Sequence, residues 1–190
     1  MSKEITVIAF MGKKLSGKTT AGKYLAEKHD YVRVRFAQTL KDMLYEFGLS
    51  HEELDGELKE VPCVKLGGKT PVQAMQTLGT EWGRELMYPN IWVDTLNREV
   101  EFHISMGLKR FVIDDLRFVS EKEYLDGLRE KYNVLIVRIE RDGIDSGSHK
   151  SETEMDKIEA EYHINNSYNI ETLHIRIDDI LSGKYDGVTN

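Results

Sequence analysis

The hydrophobic pattern of this 190-residue chain alternates between short apolar runs and longer amphipathic stretches. Apolar runs of about four to eight residues, rich in β-branched side chains and followed by Gly or acidic residues, predict buried strands. In "YVRVRFA" the apolar positions alternate instead, which predicts a strand with Arg33 and Arg35 on its other face. The predicted strands are Ile5–Phe10, Tyr31–Ala37 and the segments 109–118, 133–140 and 161–166.

Apolar residues at helical spacing predict helices between these strands. The one beginning at Thr70 has the clearest start, with Thr70 as cap, Pro71 in the first turn and Gln73 completing a capping box. Its apolar stripe, expected to face the core, is Val72, Met75, Leu78, Trp82 and Leu86. The other predicted helices are Thr19–Lys28, Thr39–Phe47, 90–106, Ser120–Lys131 and Ile170–Leu181, although "LHIRI" within the last is also compatible with a strand.

Strands that alternate with helices predict a parallel sheet joined by right-handed crossovers. We therefore expect an α/β fold with three layers, a mostly parallel five-stranded sheet flanked by helices, in a single domain covering residues 1–190. In such sheets ligands bind beyond the carboxyl ends of the strands, so residues that follow a strand are the first candidates for a site.

Composition narrows the classes of function. The net charge of −7 argues against a sequence-independent grip on DNA or RNA, which needs a field of Lys and Arg. Cys63 is the single cysteine, so neither an internal disulfide nor a multi-cysteine metal site is expected. The longest apolar run, "ITVIAFM", is too short to cross a bilayer, and "MSKE" lacks the layout of a signal peptide. These features predict a cytoplasmic protein that contacts neither membrane nor nucleic acid polymer.

The segment "GKKLSGKT" fits the pattern G-x-x-x-x-G-K-[ST] at Gly12, Gly17, Lys18 and Thr19. It follows a buried strand and opens a helix, which is the context that a phosphate-binding loop requires. Backbone N–H groups and the helix dipole favour phosphate there, Lys18 can reach the β and γ oxygens, and the Thr19 hydroxyl can bind Mg²⁺. The pattern predicts a nucleotide site without naming a reaction, and the chain has no NKxD tetrapeptide to read guanine.

Charged residues near other predicted strand ends suggest a second anion site. Lys41, Arg84 and Arg117 are candidates to bind it, because each lies near a carboxyl strand end or on an adjoining helix. Asp114 and Asp115 end the strand "FVID", where a carboxylate can hold the water shell of Mg²⁺, although acids here can also serve only as turn or capping residues.

Six longer stretches are distinctive: "GKKLSGKTT", "FAQTLKDML", "MQTLGTEWGREL", "IWV", "VIDDLRFVSE" and, at Ser148–Glu152, "SHKSE". In this order they resemble the phage-type deoxynucleoside monophosphate kinases, which belong to the adenylate-kinase-like P-loop kinases. The resemblance runs from the first strand to the last helix and implies ATP- and Mg²⁺-dependent phosphorylation of deoxynucleoside monophosphates, a step of deoxyribonucleotide biosynthesis. It also implies a nucleotide-monophosphate-binding insertion at about 38–106 and a lid at about 141–157.

The resemblance carries roles to individual positions. ATP phosphates would be bound by Gly12, Lys13, Ser16, Gly17, Lys18, Thr19 and Thr20, with Arg138 and Arg141 at the root of the lid. Thr19 and Asp115, rather than Asp114, would hold Mg²⁺. Lys41, Arg84, Trp92 and Arg117 would contact the monophosphate substrate, and Lys18, Arg84, Arg117 and Asp115 would be catalytic. For Trp92, core packing is the alternative. For Arg138 and Arg141, the alternative is that both are solvated residues at a strand end.

The sequence assigns no role to some positions. Gln38 follows "FA", where the family usually has an acid, so no sugar or base contact is assigned there. The block with His149, Ser151 and Glu152 has no derivable chemical role. A phosphomevalonate-type or other small-molecule kinase and a non-catalytic ATP-binding module remain the alternatives, and a homodimer is possible. The accepted bases do not follow from the sequence.

Overall fold

The computed structural model describes residues 4–143 and 154–185. The chain divides into two compact units. Unit 1 comprises Met1–Arg35 and Glu99–Asn190, and unit 2 comprises Phe36–Arg98.

Unit 1 is built on a parallel sheet. Its strands are β1 (Thr6–Met11), β2 (Val32–Val34), β3 (Arg110–Leu116), β4 (Asn133–Glu140) and β5 (Tyr162–Asn165). They lie in the order β2-β3-β1-β4-β5, and each neighbouring pair is parallel. β1 is central because it is apolar on both faces, with five of its residues buried. The α/β fold and the parallel five-stranded sheet predicted from the sequence are thereby confirmed for the described residues.

Helices cover both faces of this sheet. They are α1 (Lys18–His29), α6 (Val119–Leu128), α7 (Ile170–Leu181) and the second half of α5 (Ile91–Ser105). One face of β1, β3 and β4 packs with α1 and α7 into an apolar core that includes Ile8, Phe10, Leu25, Val137 and Ile177. Residues that alternate with these, such as Phe111 beside His103 of α5, face the opposite layer. "LHIRI" lies within α7, so its alternative interpretation as a strand is wrong.

Unit 2 is helical. It contains α2 (Gln38–Glu46), α3 (His51–Leu54), short 3₁₀ turns at Glu57–Glu60 and Val64–Leu66, α4 (Pro71–Gln76), a π-helix at Thr77–Met87 and the start of α5. The predicted capping box is confirmed: Thr70 Oγ1 accepts from the N–H of Gln73, whose Oε1 accepts from the N–H of Thr70. These side chains define the start of α4.

The π-helix replaces the regular α-helix that the sequence predicts beyond residue 76. Its wider turns shift each side chain around the axis, so a stripe counted at 3.6 residues per turn does not stay on one face. Leu86, predicted to face the core, is instead 77% exposed. The prediction for this residue was wrong because the periodicity on which it depended ends at Gln76.

A carboxylate ties together the turns that precede α4. Glu53 accepts hydrogen bonds from the Ser50 N–H (2.6 Å), the Lys65 ammonium (2.8 Å) and the Cys63 thiol (3.1 Å). These donors, Lys65 first, lower the pKa of Glu53 to about 2. The single cysteine thus has a structural contact with α3.

Within the described residues, no helix combines the length with the apolar character that a membrane span needs.

Candidate functional site

The predicted phosphate loop begins at the carboxyl edge of the sheet. β1 ends at Met11, which lies in register with Leu116 of β3 on one side and Arg138 of β4 on the other. The loop then runs to Gly17, and α1 starts at Lys18. Because the sheet fixes both the start of the loop and the strands beside it, the loop has little freedom to move as a whole.

Gly12 shows why the loop needs glycine. Its φ is +144°, and a Cβ there would lie 2.1 Å from the Ile139 carbonyl oxygen and 2.8 Å from Ser16 Oγ. No other residue could let the chain pass so close to β4. Gly17, at the N-cap of α1, also has a positive φ (+110°).

Lys18 already lies over the loop. Its Nζ donates to the carbonyl oxygens of Gly12 (2.5 Å) and Lys13 (2.7 Å), and the residue is only 7% exposed. A buried ammonium held by backbone oxygens is a preformed partner for an anion. Thr19 is exposed and Thr20 half-buried, both in the first turn of the same helix.

Ser16 provides a second group suited to a ligand. Its hydroxyl is buried, and in the described part of the chain it has no hydrogen-bond partner. Buried polar atoms are rarely left in this state, so a hydroxyl of this kind beside Gly12 fits a loop that is completed by phosphate oxygens. The loop therefore fits the nucleotide that its sequence pattern predicts.

Two residues that the sequence did not single out hold the loop in place. Asn166, directly after β5, donates from Nδ2 to the Ser16 carbonyl at 2.8 Å. Met155, fully buried, accepts from the Gly12 N–H at its sulfur, at 3.2 Å. Neither was predictable, because the residues lie about 150 positions from the loop in sequence and no local pattern connects them.

Asp114 and Asp115 have different environments. Asp114 is 3% exposed, packs against Gly22 of α1 and is bound by Arg33, whose Nε lies 2.8 Å and Nη2 2.5 Å from Oδ2. Burial raises the pKa of Asp114, Asp115 raises it further, and Arg33 opposes both effects. Its Oδ1 is buried and has no hydrogen-bond partner among the described residues. Asp115 is half-buried.

The structure thus gives Arg33 a defined role that the sequence left open: it neutralises a buried acid. In the described ranges, no group of three or more His, Cys, Asp or Glu side chains is arranged to hold a metal ion. A hydroxyl and one carboxylate, as at Thr19 and Asp115, are the protein donors that Mg²⁺ takes when phosphates and water complete its shell. These donors fit Mg²⁺.

The remaining predicted cations of unit 1 differ in their contacts. Arg117 is half-buried after β3, where its backbone N–H donates to Oε2 of the buried Glu121 at 2.8 Å. Arg138 donates from Nη2 to the carbonyls of Met155 (3.1 Å) and Ile158 (2.6 Å). In this structure it therefore anchors the segment that follows residue 153. Arg141 is exposed beyond the end of β4.

Unit 2 carries the other predicted residues. Lys41 forms an ion pair with Asp55, with Nζ 2.5 Å from Oδ1, and its side chain is 16% exposed. Arg84 donates from Nη1 to the Gly79 carbonyl at 3.0 Å. Trp92 is 2% exposed and does not present a ring face to a ligand in this structure. Core packing, the alternative for Trp92, is what the structure shows.

Part of the predicted site lies outside the described residues. This applies to His149, Ser151 and Glu152, and to residues 144–153 of the predicted lid at 141–157.

Comparison with solved structures supports the fold. A sugar kinase from Janibacter sp. HTCC2649 matches with a TM-score of 0.51 at 14% identity, covering 98% of this chain and 99% of that one. The Thermus thermophilus protein TT1252 matches with a TM-score of 0.54 at 16% identity, covering 95% and 98%. At such low identity these matches establish the fold alone. No family model matches the chain.

The fold and the glycine-bounded loop with its buried lysine define a P-loop protein. A curated protein of Acanthamoeba polyphaga mimivirus, named "Putative deoxynucleotide monophosphate kinase", is 31% identical over 169 residues, which are 82% of this chain and 85% of the relative. The chain belongs to the deoxynucleotide monophosphate kinase family.

Proposed function

We propose that this protein transfers the γ-phosphoryl group of ATP to the phosphate of a deoxynucleoside monophosphate. The products are ADP and a deoxynucleoside diphosphate. The observation that carries the proposal is the preformed loop, in which Lys18 is already buried over the Gly12 and Lys13 carbonyls. The class of acceptor is supported by the mimivirus relative.

In the reaction, the bond between the γ-phosphorus and the bridging β–γ oxygen breaks, and a phosphate oxygen of the acceptor forms the new bond. That oxygen is already ionised at neutral pH, so the reaction needs no general base. The enzyme must instead align two anions and neutralise the charge of the transferring group. This requirement agrees with a site made of cations and backbone donors.

We assign the donor nucleotide to the loop. Lys18 binds the β and γ phosphates, while the Gly12–Gly17 backbone and the Ser16 hydroxyl supply further donors. Mg²⁺, held by Thr19 and Asp115, would neutralise charge on the phosphates. The buried Asp114 packs against α1 and pairs with Arg33, so we assign it no direct contact with the acceptor.

We assign the acceptor phosphate to Lys41, Arg84 and Arg117. To bind phosphate, Lys41 would exchange its Asp55 partner for a phosphate oxygen. Arg84 and Arg117 would also neutralise the transferring group. We further propose that Arg138 and Arg141 bind the ATP phosphates and that a lid at about 141–157 covers ATP.

An acceptor screen tests the function. Purified protein with ATP and Mg²⁺ is offered dGMP, dTMP, dCMP, AMP and phosphomevalonate, and ADP release and the phosphorylated product are measured. Acceptor-dependent ADP release with at least one deoxynucleoside monophosphate is the expected result. Turnover of phosphomevalonate alone would identify a different kinase. ATP binding without turnover of any acceptor would identify a non-catalytic module.

Two substitutions test the assigned cations. Arg84→Met and Arg117→Met are each expected to lower kcat/KM by about 10²-fold or more, because each removes a positive charge that would neutralise the transferring phosphoryl group. Arg98→Met is the matched control, since Arg98 is an exposed arginine of α5 outside the assigned site. Wild-type turnover in both variants would refute the assignment.

A further inference from the structure

The carbonyl oxygen of Gly79 accepts two side-chain donors. Arg84 Nη1 lies 3.0 Å from it and Trp92 Nε1 lies 2.7 Å from it. The guanidinium and the indole are thus fixed on one atom of the π-helix.

The Trp92 ring has little freedom to leave this position. A Cβ on Gly83 would lie 2.6 Å from Cζ2 and 2.8 Å from Nε1 of Trp92, so the ring packs directly on the Gly83 backbone. Trp82 packs beside it, with ring centroids 6.5 Å apart. Gly83 directly precedes Arg84 in the chain, and the ring therefore contacts the backbone that carries the arginine.

The π-helix adds a second reason for this arrangement. Such helices are rare, occur mostly as single turns and are frequent at functional sites. Here it runs for 11 residues, Thr77–Met87, and Trp92 bonds to its third residue while packing on its seventh. One buried side chain thus contacts the π-helix at two positions, Gly79 and Gly83, in the stretch that leads directly to Arg84.

We infer that Trp92 is a positioning residue for Arg84, acting through the shared Gly79 carbonyl and the Gly83 contact. This inference rests on the proposed function, in which Arg84 binds the acceptor phosphate or the transferring group. An arginine side chain has several rotatable bonds, and fixing one nitrogen orients the remaining donors of its planar fork. Trp92 limits the conformations of the Arg84 side chain by fixing the carbonyl oxygen to which Arg84 donates, and it does so without touching substrate.

A double-mutant cycle on kcat tests this role. Trp92→Phe keeps a large ring but removes the Nε1 donor, and we expect kcat to fall by about 5- to 10-fold. In the Arg84→Met background the same change is expected to lower kcat by less than about 2-fold, because the group that Trp92 positions is gone. Equal losses in both backgrounds would show that Trp92 acts independently of Arg84 and would overturn the inference.

An isosteric replacement guards against loss of packing. Site-specific incorporation of benzothienylalanine at position 92 exchanges the N–H for sulfur at nearly constant shape. We expect the same fall in kcat, with the KM for ATP and the melting temperature close to wild type. Unchanged kcat would contradict the inference. Benzothienylalanine at position 82 is the matched control, because it keeps the ring that packs beside Trp92, and it is expected to retain kcat.

A spectroscopic measurement does not depend on turnover. Because both donors share one acceptor, Arg84→Met is expected to move the indole ¹H–¹⁵N resonance of Trp92 in the protein without ligands. An unmoved resonance would overturn the shared-acceptor arrangement even if no substrate has been found. If Arg84→Met keeps wild-type turnover while the resonance moves, the proposed role of Arg84 is wrong and the contact is only structural.

Discussion

The cations of the two units are held by different means. In unit 1 the backbone fixes Lys18: glycines with positive φ shape the loop, and two carbonyls bind the ammonium. In unit 2 a second side chain takes part in each arrangement: Lys41 pairs with the Asp55 carboxylate, and Trp92 donates to the same Gly79 carbonyl that Arg84 uses. A backbone-built site tolerates almost no change at its glycines, whereas a side-chain-built site can be adjusted one contact at a time.

The largest expected effect is at the backbone-built loop. Gly12→Ala would place a methyl group 2.1 Å from the Ile139 carbonyl oxygen, in a region of φ that L-residues rarely adopt. We expect the free energy of unfolding to fall by about 3 kcal/mol and kcat/KM to fall by about 10²- to 10³-fold. Urea unfolding and steady-state kinetics measure the two effects.

Gly48→Ala is the control for this substitution. Its φ is also positive (+89°), but no atom lies within 4 Å of the added Cβ. It is expected to cost about 1–2 kcal/mol of stability, with kcat/KM unchanged. Equal activity losses in the two variants would show that backbone conformation alone, rather than the loop's contacts, explains the result.

A smaller effect is expected at the side-chain-built site. Gly83→Ala adds a Cβ that would lie 2.6 Å from the Trp92 ring, which must shift away from the Gly79 carbonyl. We expect kcat to fall by about 10-fold and stability by about 1–3 kcal/mol. Gly79→Ala, which meets only the flexible end of Leu40 at 3.3 Å, should cost less stability. If both variants unfold at the same urea concentration, the Trp92 contact is not the tighter of the two.

The capping box at the start of α4 should affect stability without affecting chemistry. Thr70→Ala removes the acceptor for the Gln73 N–H and is expected to cost about 1 kcal/mol. Thr70→Ser, which keeps the hydroxyl, should restore most of this. Thermal unfolding measures the difference, and a kcat that changes more than about 2-fold would place Thr70 in the function after all.

The smallest expected effect is pH-dependent. The folded-state pKa of Glu53, about 2, lies below its ordinary value of 4.5, so its stabilising contribution is present above pH 4.5 and is lost as the pH falls toward 2. The difference in unfolding free energy between wild type and Glu53→Gln should therefore shrink across that range. Glu52→Gln, on the same helix, corrects for the change in net charge. A difference that stays constant between pH 6 and pH 2.5 would contradict the lowered pKa.

The same contrast explains what the sequence could predict. The phosphate loop could be predicted because glycine spacing, a buried strand and a helix start are local features of the sequence. These features identify Gly12, Gly17 and Lys18 without knowledge of the rest of the chain. The sheet was predictable because β-branched runs such as "NVLIVRIE" are local features of the sequence, and this run matches β4 from its first residue to its last.

The contacts between distant segments could not be predicted. Arg33 binds Asp114 across 81 positions, and Met155 reaches Gly12 across 143, so no local pattern reports them. The π-helix was also missed, because the apolar spacing of its sequence does not distinguish it from an α-helix, and because packing against Trp92, a non-local contact, accompanies the wider turn. Leu86, whose exposure contradicts the predicted apolar stripe, lies within this π-helix.

Deamidation of Asn166 would disturb the phosphate loop. The Asn166 carboxamide supports the Ser16 carbonyl from below the loop. Spontaneous deamidation would turn that donor into an anion facing an oxygen, adding negative charge beneath the place assigned to ATP. A preparation that ages in this way would lose affinity for ATP while its sheet and helices stay folded, and a mass increase at this one asparagine would mark the inactive fraction.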